Sequence, residues 1–565
     1  MQPLDIAPGM AHARLRFAPG ERLPLREDCV LSAMLDKRAA ELGDKTCVLF
    51  DPDGESWTYA ETRHRAMTTA TALARLGVKR GDTVLAWLPN GKEIFSLHLG
   101  LAYLGAVFVP VNLAYRGSTL EHIIRDSDAR LMVCHSDLVG RLTAETDLSN
   151  LRTVVVVGGA SRSEAGVTQV GEEALITDEV DFPEPVPQIE PWDVHSIIYT
   201  SGTTGPSKGV QCTHVHTLVH TLATLEFFGP EDRFLMNLLY IHMAGPLVTV
   251  ATLAAGASMV ILREFKTSTF WETVRRTGST GAFLMGSMST FLLNQPPRED
   301  DADHPLKAVW QQPLASDHVA FARRFGVTLY TQVDMTEAAG AIFSGPVPSD
   351  RVMPLGYVGR LQPGWPGYQA RLVDEHDREV PVGEVGELVL RCDTPWVITP
   401  GYYRRPDATA SAWRNGWFHT GDALRQDADG TYFFVDRTKD SIRRRGENIS
   451  SAELETEVFK YGAVADVAAV AVKNELDDEE ILIAVVPKEG AVLEPLELTH
   501  FLIPRVPHYM VPRFVRVMDR LPYSDTNKIQ KAKLREYGIG IGVWDREAAG
   551  IVVKRESIGG TKGRA

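Results

Sequence analysis

Short apolar runs alternate with longer amphipathic stretches over most of the chain. The runs TVLAWLP (83–89), RLMVCH (130–135) and TVVVVG (153–158) have the length of buried strands, whereas Tyr59 to Leu76 repeats its apolar positions with a helical period. Strands that are apolar throughout and alternate with helices are typical of a parallel sheet covered on both faces. The pattern predicts an α/β protein with a large N-terminal domain of doubly wound βαβ subdomains.

One uncharged segment, residues 240–262, is long enough to cross a bilayer. Gly256 interrupts it where a helix would end, and the β-branched run 259–262 then has the character of a buried strand. Residues 95–111 repeat the arrangement, with Gly105 as the stop. We therefore expect a buried helix followed by a buried strand in both places, and no membrane span.

The pattern changes after about residue 370 to shorter alternating strands with turn signals, which predicts a smaller β-rich subdomain. A boundary is expected at Arg437. Beyond it, a helix that starts near Ser451 and two paired strands at 465–472 and 480–487 are enough for a compact α+β domain. The predicted organisation is an N-terminal domain over residues 1–436, a hinge over 437–440 and a C-terminal domain over 441–565.

Net charge, cysteine spacing and the N-terminal residues indicate which partners and which cell compartment to expect. The 565 residues carry a formal net charge of −14, which argues against a surface that binds the phosphates of nucleic acid. Five widely scattered cysteines, none spaced as CxxC, favour a reduced and cytoplasmic protein. The N-terminus shows no apolar core behind a basic start, so no secretory signal is expected.

The string YTSGTTGPSKGV, residues 199–210, follows an apolar strand and is rich in glycine and hydroxyl groups. Glycines let backbone amides turn inward, hydroxyls donate further hydrogen bonds, and Lys208 supplies a compact positive charge for phosphate oxygens. The spacing differs from GxxxxGK[ST], so this is not a Walker loop. Composition alone leaves open a plain Ser/Gly turn. The predicted phosphate-binding residues are Thr200, Ser201, Gly202, Thr203, Thr204 and Lys208.

Four further strings follow in order: MTE (335–337), WFHTGD (417–422), DRTKDSIRRRGENI (436–449) and LPYSDTNKIQKAKLR (521–535). Together with the phosphate loop, this series resembles the adenylate-forming superfamily of acyl-CoA synthetases, carrier-protein-loading adenylation domains and luciferases. GELVLR, PGYYRRP and GAVFVPVN extend the resemblance over almost the whole chain. In general texture the sequence is most similar to the carnitine/crotonobetaine-CoA ligase branch.

The resemblance implies an enzyme that uses ATP, Mg²⁺ and coenzyme A. It would join AMP to a carboxylic acid, release pyrophosphate and transfer the acyl group to a thiol. Its reacting groups would be Lys528, which bridges substrate carboxylate and α-phosphate, His242 beside the carboxylate, Thr336 at the α-phosphate and Glu337 as the Mg²⁺ ligand.

The resemblance also implies that the C-terminal domain rotates between the two steps. Lys439 occupies the hinge position, and the segment around Gly446 would line a tunnel for pantetheine after the rotation. Asp422 and Arg437 would contact the ribose hydroxyls. The basic run 443–445 has two interpretations, as a contact for CoA phosphates or as ordinary surface charge.

The sequence departs from the family pattern around the nucleotide. Val333 and Asp334 stand before Met335 where the family has Tyr-Gly, so the aromatic group that usually stacks on adenine is absent. Asp334 would repel an anionic acid unless it is paired, or it would recognise a donor group on the acid. The other residues expected at the nucleotide are Gln311, Gln312 and Pro313, in place of a Gly-Gly-Ala-like stretch, and Met335.

The principal hypothesis is an acyl-CoA ligase for a bulky, hydrophobic acid, because small or soft residues such as Met243, Met285 and Gly340 surround the expected pocket. A second hypothesis is an adenylating enzyme that loads an acyl carrier protein or releases acyl-AMP. A non-catalytic nucleotide-binding protein is the third. The sequence leaves a homodimer open. His214, His216 and His220 are expected on one helical face, with no metal.

Overall fold

The computed structural model describes residues 15–200, 206–437, 441–444, 447–474, 478–523 and 529–553. In these ranges the helices α1 to α15 are, in chain order, Leu31–Leu42, Tyr59–Arg75, Lys92–Leu104, Gly117–Ser127, Ser136–Val139, His214–His220, Leu222–Leu225, Ala244–Ala255, Phe270–Thr277, Gly286–Leu293, His318–Phe325, Pro406–Ala412, Ser451–Phe459, Pro495–Leu502 and Lys531–Tyr537.

The strands β1 to β28 of the same ranges are Thr46–Asp51, Ser56–Thr58, Thr83–Trp87, Val107–Pro110, Leu131–His135, Thr153–Val157, Thr168–Gly171, Val194–Thr200, Lys208–Thr213, Arg233–Met236, Ser258–Leu262, Gly281–Met285, Ala308–Gln312, Thr328–Tyr330, Gln332–Met335, Ala338–Phe343, Tyr357–Leu361, Tyr368–Val373, Val385–Cys392, Trp413–Arg414, Trp417–Gln426, Thr431–Arg437, Ser441–Arg444, Glu447–Ser450, Val464–Lys473, Glu479–Pro487, Phe514–Val517 and Val543–Asp545.

Two seven-stranded sheets dominate the N-terminal part. Sheet A has the order β7-β6-β5-β3-β4-β8-β9, and sheet B has the order β14-β13-β12-β10-β11-β1-β2. Both are parallel except at one edge, where β9 and β2 run antiparallel to their neighbours. Helices α1, α3 and α8 pack between the sheets in one continuous hydrophobic core. The predicted doubly wound α/β class is confirmed.

The β-rich subdomain is an antiparallel sheet C of order β15-β16-β17-β22-β21-β19-β18, with β20 beside β21. Beyond it, the hairpin β23–β24 precedes α13 and sheet D, whose order is β25-β26-β27-β28. Helices α13 and α14 complete this small α+β unit, which has a core of its own. A small C-terminal domain was predicted from the paired strands after residue 437, and the structure contains it.

Local chemistry sets the ends of the apolar elements as expected. Helix α8 stops at Gly256, whose φ of 67° is left-handed, and β11 begins two residues later. Gly105 ends α3 in the same way at φ 65°. Glycine adopts this conformation without the Cβ penalty that other residues carry. Among the described residues no helix is both long and apolar enough to cross a membrane.

A stack of histidines is buried where α3, β8 and α6 meet. The ring centroids of His195 and His214 are 4.7 Å apart, and His98 lies 5.8 Å from His195. His98 Nδ1 is 2.9 Å from the hydroxyl of Tyr240, and His195 Nε2 is 2.7 Å from that of Thr217. Burial lowers the pKa of His98 and of His214 to about 3. The stack is therefore neutral at pH 7.

The neutral stack predicts how stability depends on pH. Unfolded histidine takes up a proton below about pH 6.5, whereas the folded stack does not, so each buried histidine removes about 1.4 kcal/mol of stability per pH unit below that point. We expect the melting temperature to fall from pH 7 to pH 5 in scanning calorimetry, and His98→Gln to flatten the dependence. The exposed His376→Gln is the control. A melting temperature that is constant over this range would contradict the prediction.

Candidate active site at the junction of the three sheets

The predicted phosphate loop connects β8 to β9, the antiparallel pair at the edge of sheet A. Thr200 pairs with Lys208, so the strands bring the two ends of the loop together. The Lys208 ammonium lies 5.0 Å from the centre of the Tyr402 ring, in a cation–π contact. The predicted loop residues Ser201, Gly202, Thr203 and Thr204 lie outside the described residues.

Glu337 is the acidic residue at this site. It lies in the turn between β15 and β16 with 8% of its surface exposed. Its Oε1 accepts a hydrogen bond of 3.0 Å from the Tyr402 hydroxyl and lies 3.5 Å from the Thr200 hydroxyl. The backbone N–H of Thr399 donates to the Glu337 carbonyl at 2.9 Å. Strand β8, the β15–β16 turn and residues 399–402 therefore converge on one carboxylate.

Tyr402 was not predicted as a site residue, although the string PGYYRRP that contains it belongs to the resemblance. Burial and the neighbouring Glu337 raise the pKa of Tyr402 well above its usual range. The phenol therefore stays protonated and donates to the carboxylate. The signal for this residue was present in the sequence, but only the fold shows which carboxylate it meets.

Helix α6 supports the turn from behind. His216 Nε2 lies 2.9 Å from the Thr336 carbonyl, and its Nδ1 lies 2.7 Å from the Val397 carbonyl. His220 Nε2 lies 3.2 Å from the Met335 carbonyl. Burial lowers the pKa of His216, and the two carbonyl acceptors at its ring nitrogens act in the opposite direction. The histidine face that the sequence predicted thus contacts the backbone of the MTE string.

The residues expected at the nucleotide lie at the ends of two strands. Gln311 and Gln312 end β13, followed by Pro313, and Val333, Asp334 and Met335 lie on β15. The Gln311 side chain is buried and accepts a 2.9 Å hydrogen bond from the Ala315 N–H, so it holds its own loop. Asp334 Oδ1 lies 3.5 Å from His220 Nε2. The extra carboxylate therefore has an imidazole beside it.

Asp422 and Arg437 are directly opposite each other on the antiparallel strands β21 and β22. Asp422 is buried, with 4% of its surface exposed. Its backbone N–H donates to the Thr420 hydroxyl at 3.1 Å. The pairing places the backbones of these two predicted ribose contacts side by side on central strands of sheet C.

The hairpin β23–β24 approaches the N-terminal domain at His242. Glu447 Oε2 lies 3.6 Å from His242 Nε2, and the His242 side chain is 43% exposed. Arg444 is turned the other way. It is buried, pairs with Glu480 at 2.5 Å and donates to the Tyr509 carbonyl at 2.9 Å. Its charge is thus used inside the C-terminal domain. Lys439, Gly446 and Lys528 lie outside the described residues.

A groove of about 1150 Å³ runs between the two domains beside this hairpin. Both domains contribute to its walls, and its lining carries both basic and acidic side chains; the acidic ones are Asp51, Asp53, Glu264, Glu272, Glu447 and Glu547. The basic side chains are Arg116, Arg141, Arg263, Lys266, Arg276, Arg444, His508 and Arg546.

The site suits Mg²⁺ and a polyphosphate. A buried carboxylate with hydroxyls beside it offers the hard oxygen ligands that Mg²⁺ prefers. No group of three acidic, histidine or cysteine side chains that could enclose a metal occurs in the described ranges. An ion held at Glu337 would therefore take its remaining ligands from phosphate and water, as Mg²⁺ commonly does.

Comparison with known proteins agrees with this geometry. The profile of AMP-binding enzymes matches residues 35–403, and that of the AMP-binding enzyme C-terminal domain matches residues 453–528. The chain belongs to the AMP-binding enzyme family. The predicted membership of the adenylate-forming superfamily is confirmed.

Relatives of known activity match over nearly their full length. A sulfoacetate–CoA ligase of Cupriavidus necator is 30% identical over 510 residues, 89% of this chain and 97% of that one. A crotonobetaine/carnitine–CoA ligase of Salmonella choleraesuis is 30% identical over 518 residues, 89% and 98% of the two chains. They confirm an ATP-dependent acid–thiol ligase as the class of enzyme.

A solved structure shares the fold. The o-succinylbenzoate CoA synthetase of Bacillus subtilis has a TM-score of 0.77, 21% identity and coverage of 89% of this chain and 98% of its own. At that identity the match supports the architecture alone.

Glu337→Gln tests the acidic centre. The amide keeps the shape but loses the negative charge, so we expect acid-dependent pyrophosphate exchange to fall by about a hundredfold and to need more Mg²⁺. The matched control is Glu375→Gln, a side chain that is 87% exposed. An unchanged rate with an unchanged Mg²⁺ requirement would refute the role of Glu337.

Proposed function

We propose that this chain activates a carboxylic acid with ATP to form acyl-AMP and pyrophosphate, and then transfers the acyl group to the thiol of coenzyme A. The observation that carries the proposal is the convergence of Glu337, Thr200, Tyr402 and Lys208 where strands β8 and β9 meet the phosphate loop. The arrangement suits a reaction in which negative charge builds up on phosphate oxygens.

In the first step a carboxylate attacks the α-phosphate of ATP, so two anions must meet. Bound Mg²⁺, held by Glu337, would neutralise part of the phosphate charge. Lys208 and the loop hydroxyls would hold the outgoing pyrophosphate, and Thr336 would donate to the α-phosphate. Lys528 would lie between the substrate carboxylate and that phosphate. The closeness of Thr336 to Glu337 supports this division, since the α6 histidines hold the carbonyls of Met335 and Thr336 and the Thr399 N–H holds that of Glu337.

The nucleoside would contact sheets B and C. We assign the ribose to Asp422 and Arg437, which lie opposite each other, and the adenine to residues 311–313 and 333–335. Without an aromatic side chain at Val333, adenine would pack on aliphatic and backbone surface. The neighbouring strand ends of β13 and β15 support this placement.

The two steps need different groups at one centre. We propose that residues 441–565 move as a body relative to residues 1–436 about a hinge at 437–440 that contains Lys439. Here Glu447 lies beside His242, so the hairpin next to Gly446 faces the reacting centre. This arrangement suits the second step, in which the thiol attacks the acyl carbon and AMP leaves.

The groove between the domains has the size for coenzyme A, and basic side chains stand among its walls. It leads from Leu239 and Glu447 near His242 out to the basic side chains of both domains. A slender pantetheine arm would pass the hairpin, while the phosphates would meet Arg263 and its neighbours. If the acceptor were an acyl carrier protein in place of coenzyme A, only its phosphopantetheine arm would have to enter the groove.

The acid remains a prediction. Met243 is buried and Met288 partly buried near the expected pocket, which supports a bulky apolar acid. The relatives named for sulfoacetate and for crotonobetaine or carnitine act on small acids with a second charged group. Asp334 would attract the cationic group of a betaine and repel a sulfonate. A panel of acids must therefore contain both kinds.

Pyrophosphate release across such a panel tests the first step. We expect at least one acid to support pyrophosphate release. Lys528→Ala should reduce the release rate by about a hundredfold or more, because the lysine ammonium then no longer lies between the substrate carboxylate and the α-phosphate. Lys533→Ala, an exposed lysine of the same segment, is the matched control. Unchanged release in Lys528→Ala would remove the lysine from the mechanism, and release without any CoA-dependent AMP would favour a carrier protein as acceptor.

Arg263→Ala tests the groove. Its side chain lines the groove, is 25% exposed and forms a long ion pair of 3.8 Å with Asp53. We expect KM for CoA to rise about tenfold and pyrophosphate exchange to stay unchanged, since one charge-assisted contact to phosphate is lost. The control is Arg378→Ala, whose side chain is 74% exposed and pairs with Asp374. An unchanged KM for CoA would exclude this wall of the groove.

A further inference from the structure

The first turn of α13 contacts the phosphate loop directly. Glu453 Oε1 accepts two hydrogen bonds from Ser207, one from the backbone N–H and one from the hydroxyl, each of 2.7 Å. Ser207 is 1% exposed, and it is the residue that precedes Lys208. The C-terminal domain thus places a carboxylate on the last residue of the loop before β9.

This contact is enclosed on the N-terminal side. His122 Nε2 lies 2.8 Å from the Ser207 carbonyl, so both the N–H and the carbonyl of Ser207 are engaged. Burial raises the pKa of Glu453, and the bonds from Ser207 act in the opposite direction. Charge-assisted hydrogen bonds in such a site are about twice as strong as neutral ones.

Glu453 is held firmly within its own domain. The Lys531 ammonium donates to the Ser451 hydroxyl and pairs with Glu455, both at 2.7 Å. Glu455 also accepts a 2.7 Å hydrogen bond from the Ala469 N–H on β25. Helix α13 is therefore fixed to sheet D, so a bond made by Glu453 fixes the position of the whole domain.

Among the described residues, three further polar contacts cross the same interface, and Ala114 packs against the C-terminal core. The Asn112 amide donates to the Tyr509 hydroxyl at 3.3 Å, the Ser118 hydroxyl donates to Glu457, and Glu447 lies beside His242. All three are contacts between polar side chains. Only the contact of Glu453 reaches the phosphate loop, among those described.

The position of Glu453 has an electrostatic consequence. A polyphosphate on the loop and a carboxylate on its Ser207 N–H repel each other, and little water is present to screen them. The contact is therefore favoured when the polyphosphate has left.

We propose that Glu453 is a positioning residue that docks the C-terminal domain for thiol transfer, and that its bond to Ser207 forms only after pyrophosphate has left the loop. The inference rests on the proposed function and adds to it a link between product release and domain position. Glu453 does not touch the reacting atoms. It acts through the placement of the hairpin beside His242.

The test separates the two half-reactions. For Glu453→Ala we expect kcat of CoA-dependent AMP formation from preformed acyl-AMP to fall about tenfold to a hundredfold, because two charge-assisted hydrogen bonds to Ser207 are lost. Acid-dependent pyrophosphate exchange should be unchanged. Glu453→Gln keeps an acceptor oxygen and should recover most of the rate. Glu497→Ala, an exposed glutamate of α14, is the control. Equal losses in both half-reactions, or none in the second, would overturn the proposal.

A second measurement needs no turnover. Ser118 and Glu457 are in contact across the interface, so in the variant Ser118→Cys/Glu457→Cys a short bismaleimide should link the two domains. Background labelling should be low because four of the five native cysteines are buried. The cross-linking yield should fall when Glu453→Ala is added to the double-cysteine variant or when pyrophosphate and Mg²⁺ are present, and it should stay the same with Glu453→Gln. A cross-linking yield that is the same under all these conditions would refute the role of Glu453. A chain that exchanges pyrophosphate with no acid would count against the proposed function instead.

Discussion

The buried carboxylate of Glu337 is the interaction on which the site depends. A carboxylate that is 8% exposed needs hydrogen-bond donors, and it receives one from Tyr402 and has a second hydroxyl, that of Thr200, at 3.5 Å. These residues come from three separate parts of the chain. The edge of sheet A, the first turn of sheet C and residues 399–402 therefore meet at one carboxylate, beside the two ends of the phosphate loop.

Buried histidines support this centre. His216 and His220 contact the carbonyls of Thr336 and Met335, so they hold the backbone of the turn that carries Glu337. Both rings lie on helix α6, which is buried over its whole length. The α6 face thus shapes the turn, while Lys208 supplies positive charge at the end of the phosphate loop.

The interface between the domains is of a different kind. Apart from the packing of Ala114, its described contacts are polar, as between Glu453 and Ser207 or Glu447 and His242. Polar groups of this kind regain hydrogen bonds to water when they separate, so such an interface opens at lower cost than an apolar core. A site that must exchange one set of groups for another between two steps benefits from this property.

The sequence by itself determined the elements and the class of enzyme. Periodicity and glycine stops placed α2, α3, α8 and their following strands, because these signals are local, and five ordered motifs identified the family. Only the tertiary structure decided which side chains meet. Nothing near Tyr402 or Glu453 in the chain reveals Glu337 or Ser207 as the partner, and Arg444 belongs to an internal ion pair although its sequence neighbours are basic. Such contacts depend on how distant elements pack, which local spacing does not encode.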